Sequence, residues 1–411
     1  MATPGSTSER WFWLDWLRVL AIGLVFLYHS GMPFMIDSSW HITNLQPDFA
    51  ITLFNIMLSP LMPLLFVVSG ISTYFSLSKR SPGQFAWDRF KRLMIPFIFV
   101  GLLLILSVHV YFDSVFHGTF AGSFQGFYFG QYFTAKFFPF DFDLSLTYFA
   151  NSNQGVYLWY VFWLFVFSLV TAHFFKWVTK QENRGMTSRL AAITNRLGGI
   201  FLLAIPLIIV NVASVPPFFI FPSGYGAGKL PTYLAYFVLA YFLAIDSRFG
   251  ESIDKNGILA LLVGVGTTAF MLFWLVTFGA ETFATTDPAV YVLVSAVWAL
   301  NGWSWVVAIL GLGRRFLSFK HKFLLFSNEL VLPFYILHQT IIVAIAFFVV
   351  SLDLIPMAKY FIIILASLSI VSVLLLPIRQ FNALRLLFGM GFKKGKRQGL
   401  LRLTRWDFSP I

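Results

Sequence analysis

Residues 10–30 read RWFWLDWLRVLAIGLVFLYHS. From Trp11 onward this stretch is apolar and long enough to cross a bilayer as one helix, which takes about 20 residues. It still carries three ionisable groups, Asp15, Arg18 and His29. Such groups are costly inside a membrane and point first to function. At about 100° and 1.5 Å per residue, His29 falls about 20° from Arg18 around the helix and about 16 Å further along it. Asp15 and Arg18 are three apart and can pair. All three therefore share one stripe. Taken singly, Asp15–Arg18 also reads as a structural ion pair snorkelling to the interface, and His29 as a satisfied core histidine. The shared face favours function.

The rest of the chain has the same apolar character. Of its 411 residues, 58% are hydrophobic and 11% charged, against about 25% charged in soluble domains. Apolar runs lie at 11–31, 51–77, 93–112, 155–175, 197–216, 230–246, 257–279, 289–312, 324–351 and 357–378. They predict an all-α polytopic transmembrane bundle of about ten spans. The expected division is a membrane-embedded unit over 1–378 and a basic tail over 379–411. The first run is long enough to span and holds ionisable residues, unlike a cleavable signal core. Cysteine is absent, which excludes disulfides and thiolate metal sites.

The net charge of +12 has a topological origin. Alternate loops are basic: Lys79, Arg80, Arg89, Lys91 and Arg92, then Lys176, Lys180, Arg184, Arg189 and Arg196, then Arg314, Arg315, Lys320 and Lys322, then the tail from Arg379. The intervening loops hold Asp37, Asp48, Asp113, Asp141, Asp143, Glu281 and Asp287. This positive-inside pattern predicts that both termini are cytoplasmic and accounts for the charge without a nucleic-acid partner. Loop 113–153 is long and rich in Phe, Tyr and Gly. It reads either as a partly ordered outer cap or as a lipid-facing re-entrant piece. No internal repeat of the kind many transporters carry is visible.

Other polar groups fall inside apolar runs. His338 lies in NELVLPFYILHQT with Tyr335 one turn earlier, Glu329 near the inner end, and Pro333 loosening the ladder between. Taken alone, Tyr335 and His338 read as helix-packing groups. Ser69-Gly70 is a small pair that usually marks close helix approach. Arg89 and Arg92, one turn apart before Pro96, suit phosphate binding or lipid headgroups. No metal-ligand spacing, P-loop, nucleophile elbow or Rossmann fingerprint occurs.

These residues together resemble the acyltransferase-3 family of integral membrane acyltransferases. Leu14-Asp15-Trp16-Leu17-Arg18 and the Arg18-to-His29 spacing match its first span. Phe66–Gly70 matches its Phe-rich Ser-Gly segment. Arg89, Arg92, Leu93 and Pro96 match its Arg-x-x-Arg-Leu-x-x-Pro element, and Tyr335 to His338 its late Tyr-x-x-His-like segment. Residues 37–55, through Trp40, His41, Asn44, Pro47 and Thr52–Asn55, are similar to the branch that succinylates osmoregulated periplasmic glucans. One departure is Tyr157, where the family usually has histidine.

The resemblance implies transfer of an acetyl or succinyl group from cytoplasmic acyl-CoA to a hydroxyl of an extracytoplasmic glycan. The setting would be a bacterial cytoplasmic membrane, with no metal. His29, Arg18 and Asp15 are the expected catalytic group: His29 as general base, Arg18 on the donor, Asp15 orienting Arg18. Arg89, Arg92, Ser69 and Gly70 are expected on the donor side, and His338, Tyr335, His41 and Trp40 on the acceptor. Direct attack and a transient acyl-histidine both fit. The competing class is a transporter or flippase of glycans, lipids or small acids.

Overall fold

The computed structural model describes residues 11–36, 40–58, 60–132, 158–213, 230–279 and 287–393. Tyr157 lies outside them. The described chain is a helical bundle. Helix α1 runs Phe12–Gly31 and continues into a 3-10 turn, Met32–Phe34, at Pro33. Helix α2 (Phe49–Met57) starts where the Asp48 side chain caps the Ile51 N–H at 3.0 Å. Helix α3 (Leu61–Ser78) returns along α1.

A Ser81/Gln84 capping box with Pro82 opens α4, Pro82–Arg89. This geometry satisfies orphan amides that a helix start leaves bare. The same rod then widens into π-helical turns at Phe90–Met94 and Pro96–Ile105, flanking Pro96, before α5, Leu106–Phe116. Proline has no N–H to give and its ring crowds the turn before it, so a change of ladder around Pro96 is expected. The remaining helices are α6 (Trp159–Val178), α7 (Arg184–Thr194), α8 (Ala204–Ala213), α9 (Leu230–Ile245), α10 (Ser247–Phe278), α11 (Pro288–Phe316), α12 (Lys322–Val349), α13 (Pro356–Gln380) and α14 (Asn382–Leu387).

Among the described residues, eight helical stretches are long and apolar enough to cross a membrane. They coincide with eight of the ten apolar runs. The fifth and sixth runs form the shorter apolar helices Gly199–Ala213 and Leu230–Ile245. Helices α10 and α13 turn large apolar side chains outward, among them Leu262, Phe273, Val276, Phe361, Leu365 and Val373. That outer face suits lipid rather than water. Inside, α1 packs on α3, α11, α12 and α13.

At two crossings a glycine lies against the backbone of the facing helix. A Cβ on Gly70 would collide with the Phe237 carbonyl, so α3 and α9 touch backbone to backbone. Gly311 and Gly257 face each other where α11 meets α10, and a Cβ on either would find only ordinary contact distances. Small residues at such crossings let membrane helices approach.

The expected long loop is ordered through Tyr132. Phe120, Phe124 and Phe127 pack around Tyr111 of α5. The Tyr128 hydroxyl donates to Leu103 O at 3.0 Å, and Tyr132 to Leu102 O. These bonds reach carbonyls in the π-helical stretch. Loop residues 133–153 lie outside the described residues. The stretch from Arg379 begins as the end of α13, and α14 folds back with Arg385, Phe388 and Met390 buried. Residues 394–411 lie outside the described residues.

Candidate functional site

Arg18 is the hub of the basic end. Its Nη1 donates to Asp15 Oδ1 and to Asn328 Oδ1, both at 3.3 Å, and its Nη2 donates to Ser72 Oγ at 2.6 Å. Partners from α1, α12 and α3 thus fix one guanidinium, and Asp15 is 1% exposed. Planar, forked geometry of this kind is what arginine supplies and lysine does not. Arg89 is also buried. It donates to Thr73 Oγ1 at 3.1 Å and lies 5.0 Å from the centre of the Phe85 ring.

Arg18, Arg89 and Arg92 lie within electrostatic reach of one another. Arg92 makes no hydrogen bond or ion pair among the described residues. Three guanidiniums against the single carboxylate of Asp15 leave positive charge uncompensated, which favours a polyanion. A separate cleft of about 470 Å³ at this end is lined by Trp13, Asp254, Gly311, Arg314, Arg315 and Ser318. Its Arg314 is already held by both oxygens of Asp254, at 2.8 and 3.0 Å.

Ser69 and Gly70 have other neighbours. The Tyr160 hydroxyl donates to Leu65 O at 3.2 Å, so the Ser69 hydroxyl is the donor in their 2.8 Å contact. Gly70 faces Phe237 and Ala240 at the α3–α9 crossing.

Further along α1, His29 Nδ1 meets His338 Nε2 at 2.9 Å. The other ring nitrogen of His338, Nδ1, lies 2.7 Å from Tyr335 O. A carbonyl only accepts, so His338 Nδ1 carries a proton. In the neutral ring its Nε2 is then an acceptor, and His29 Nδ1–H must be the donor. That leaves the lone pair of His29 on Nε2. The pair can therefore act as an oriented general base, with the partner ring setting the tautomer. Pro333, one turn before Leu337, lies inside the continuous helix α12. Phe334 stacks parallel to His338, and Tyr335 packs against both His338 and Tyr160.

Trp40 and His41 sit beyond the far end of α1. Asn44 N and Asp48 N donate to Pro33 O and Phe34 O, both at 2.8 Å, and tie this strap down. Trp40 packs with Ile42, Phe26 and Val343 in a second apolar cluster. His41 Nδ1 donates to Asp113 Oδ1 at 3.1 Å, and His109 lies edge-on to its ring with centroids 4.1 Å apart.

Among the described residues no group of three or more His, Cys, Asp or Glu could hold a metal ion. The sequence reading had not singled out Asn328, Ser72, Thr73, Tyr160 or His109, and had taken Asp113 only as a loop acid. Each is a polar residue within or bordering an apolar run, which was the available signal.

A family model described as an acyltransferase domain, that of the acyltransferase-3 family, matches residues 11–376. No curated protein and no solved structure matches the chain. The matched segment opens at the first residue before α1 and closes within α13, so it holds the Arg18 hub and the His29–His338 pair alike. The chain belongs to the acyltransferase-3 family of membrane acyltransferases.

Proposed function

We propose that this protein moves an acetyl or succinyl group from cytoplasmic acyl-CoA to a hydroxyl of an extracytoplasmic glycan, with both termini cytoplasmic in a bacterial inner membrane. The observation that carries the reading is the His29–His338 hydrogen bond of 2.9 Å. It makes His29 Nε2 a base on the same helix as Arg18, and His29 lies about 16 Å beyond Arg18 along the axis.

Arg89 and Arg92 suit the donor's phosphates, and Arg18 its pantetheine arm or thioester oxygen. The flexible pantetheine chain suits the gap between the arginines and His29. The acceptor hydroxyl arrives from the far end, past Trp40 and His41. His29 Nε2 takes its proton as the oxygen attacks the thioester carbon. The C–O bond forms, the C–S bond breaks, and the thiolate leaves toward the basic end, where it is protonated. Asp15, Asn328 and Ser72 hold Arg18 in place. His338 and Tyr335 keep His29 in the reactive tautomer.

The test is acyl-CoA binding and turnover by detergent-purified protein, with acetyl-CoA and succinyl-CoA supplied separately. Wild type is compared with His29→Ala and Arg18→Lys. Binding of one donor, with turnover lost in His29→Ala and strongly reduced in Arg18→Lys, is expected. A folded protein that binds neither donor would sink the reading in favour of a transporter or flippase.

A further inference from the structure

The proton that His29 removes from the acceptor needs a way out. His338 offers none, because its far nitrogen already donates to the Tyr335 carbonyl, and a carbonyl does not pass protons on. His41 and His109 offer another route. His29, His41 and His109 lie within electrostatic reach of one another. His41 and His109 are in direct ring contact, at 4.1 Å and 83° between planes.

His41 gives its Nδ1–H to Asp113 Oδ1 at 3.1 Å, leaving its Nε2 able to accept. Asp113 is the last step inside the protein: its side chain is 33% exposed, whereas that of His41 is 10%. The exposed His117 also flanks this carboxylate, with Nδ1 3.6 Å from Oδ1 and 2.9 Å from the Asp113 carbonyl. Among the described residues, Lys359 is tied to the strap and binds Asn44 Oδ1 and Val350 O at 3.0 and 2.8 Å rather than Asp113.

We infer that His41 and Asp113 form a proton relay that carries the acceptor hydroxyl's proton from His29 to the solvent at the far end of the bundle. The inference rests on the acyl-transfer reading. His29 Nε2–H passes its proton to His41 Nε2, directly, through His109 or through a water molecule. His41 Nδ1–H moves to the Asp113 carboxylate, Asp113 releases it to bulk water beside His117, and a flip of the His41 ring turns its remaining N–H back to Asp113 to restore the starting state. The charges balance: His29 returns to neutral, Asp113 returns to its carboxylate, and the thiolate draws its own proton at the basic end. One proton is released on one side and one is taken up on the other for each transfer. His41 and Asp113 thus act through His29, with no contact to the donor.

The experiment uses purified full-length protein with acyl-CoA and a soluble hydroxyl acceptor. Wild-type turnover is established first, so failure of the acyl-transfer reading would be seen before any variant is judged. In His41→Ala and Asp113→Asn, kcat should fall by roughly tenfold to a hundredfold, the lower range for a lost proton-transfer group, while donor affinity stays at the wild-type value. Unchanged donor affinity also reports an intact fold. Added imidazole should restore His41→Ala, since it replaces the missing ring, and a purely structural residue would not respond. Wild-type kcat in either variant, or a loss that imidazole leaves in place, overturns the relay.

Discussion

The Cα of Gly389 lies against the carbonyl of Arg92: a Cβ at this position would collide with that oxygen and crowd Pro96 and Leu332. Gly389 also has φ +69°, a conformation that disfavours any residue with a Cβ. The folded-back end of the chain therefore braces the turn that carries Arg92. Glu329 anchors the brace by accepting from Arg379 at 3.0 Å and Arg385 at 2.7 Å. In Gly389→Ala the left-handed backbone alone should cost about 1–2 kcal/mol, and the collision adds to it. Thermal unfolding in detergent should fall by several degrees and donor affinity should drop with it. An unchanged donor affinity would show that the brace does not hold Arg92.

Arg92 lacks a partner among the described residues and lies close to Arg18 and Arg89. If it serves donor phosphates, acyl-CoA binding should weaken as salt rises, because screening acts on accessible charges. Arg92→Ala should bind the donor less well and show a shallower salt dependence than wild type. Isothermal titration at several ionic strengths reads both effects.

In the proposed mechanism His338 acts by holding His29 through their 2.9 Å hydrogen bond. Replacing it with alanine lets the His29 ring choose either tautomer and rotate. The expected loss in kcat is on the order of a hundredfold, comparable to losing general base function, with donor affinity retained. His338→Gln should recover part of the rate, because its amide oxygen can accept from His29 Nδ1–H. Equal rates in the two variants would contradict an orienting role.

Ser69 is engaged with Tyr160 rather than facing an open space. Tyr160→Phe removes an acceptor from Ser69 and a donor from Leu65 O, a change worth about 1 kcal/mol of stability for a typical bond. Both Tyr160→Phe and Ser69→Ala should lower the unfolding temperature slightly and leave donor affinity alone. Weaker acyl-CoA binding in Ser69→Ala would place Ser69 on the donor side, as the sequence leads one to expect.

Much of this was legible from the chain alone, and the reason is locality. The stripe of Asp15, Arg18 and His29 depends only on helical periodicity, and apolar run length alone predicted the spanning helices. What the sequence concealed depends on partners far along the chain. Arg18 meets Asn328 at a separation of 310 residues and His29 meets His338 at 309. No pattern on α1 or α12 announces that these rings touch. Asp113 read as a loop acid because its partner His41 is 72 positions away. The widened ladder around Pro96 was likewise hidden, since a proline in a helix signals disruption without specifying its form.

The long reach of those two bonds bears on how the protein is made. α1 precedes α12 by about 300 residues, yet Arg18 and the proposed base His29 both complete their contacts with α12. Until the ribosome has delivered that helix, a nascent chain holds a half-satisfied guanidinium and an unanchored imidazole within α1. Such groups are costly in lipid. α1 must therefore wait, shielded by the insertion machinery or by its early neighbour α3 through Ser72, and the two contacts close only once α12 is in place.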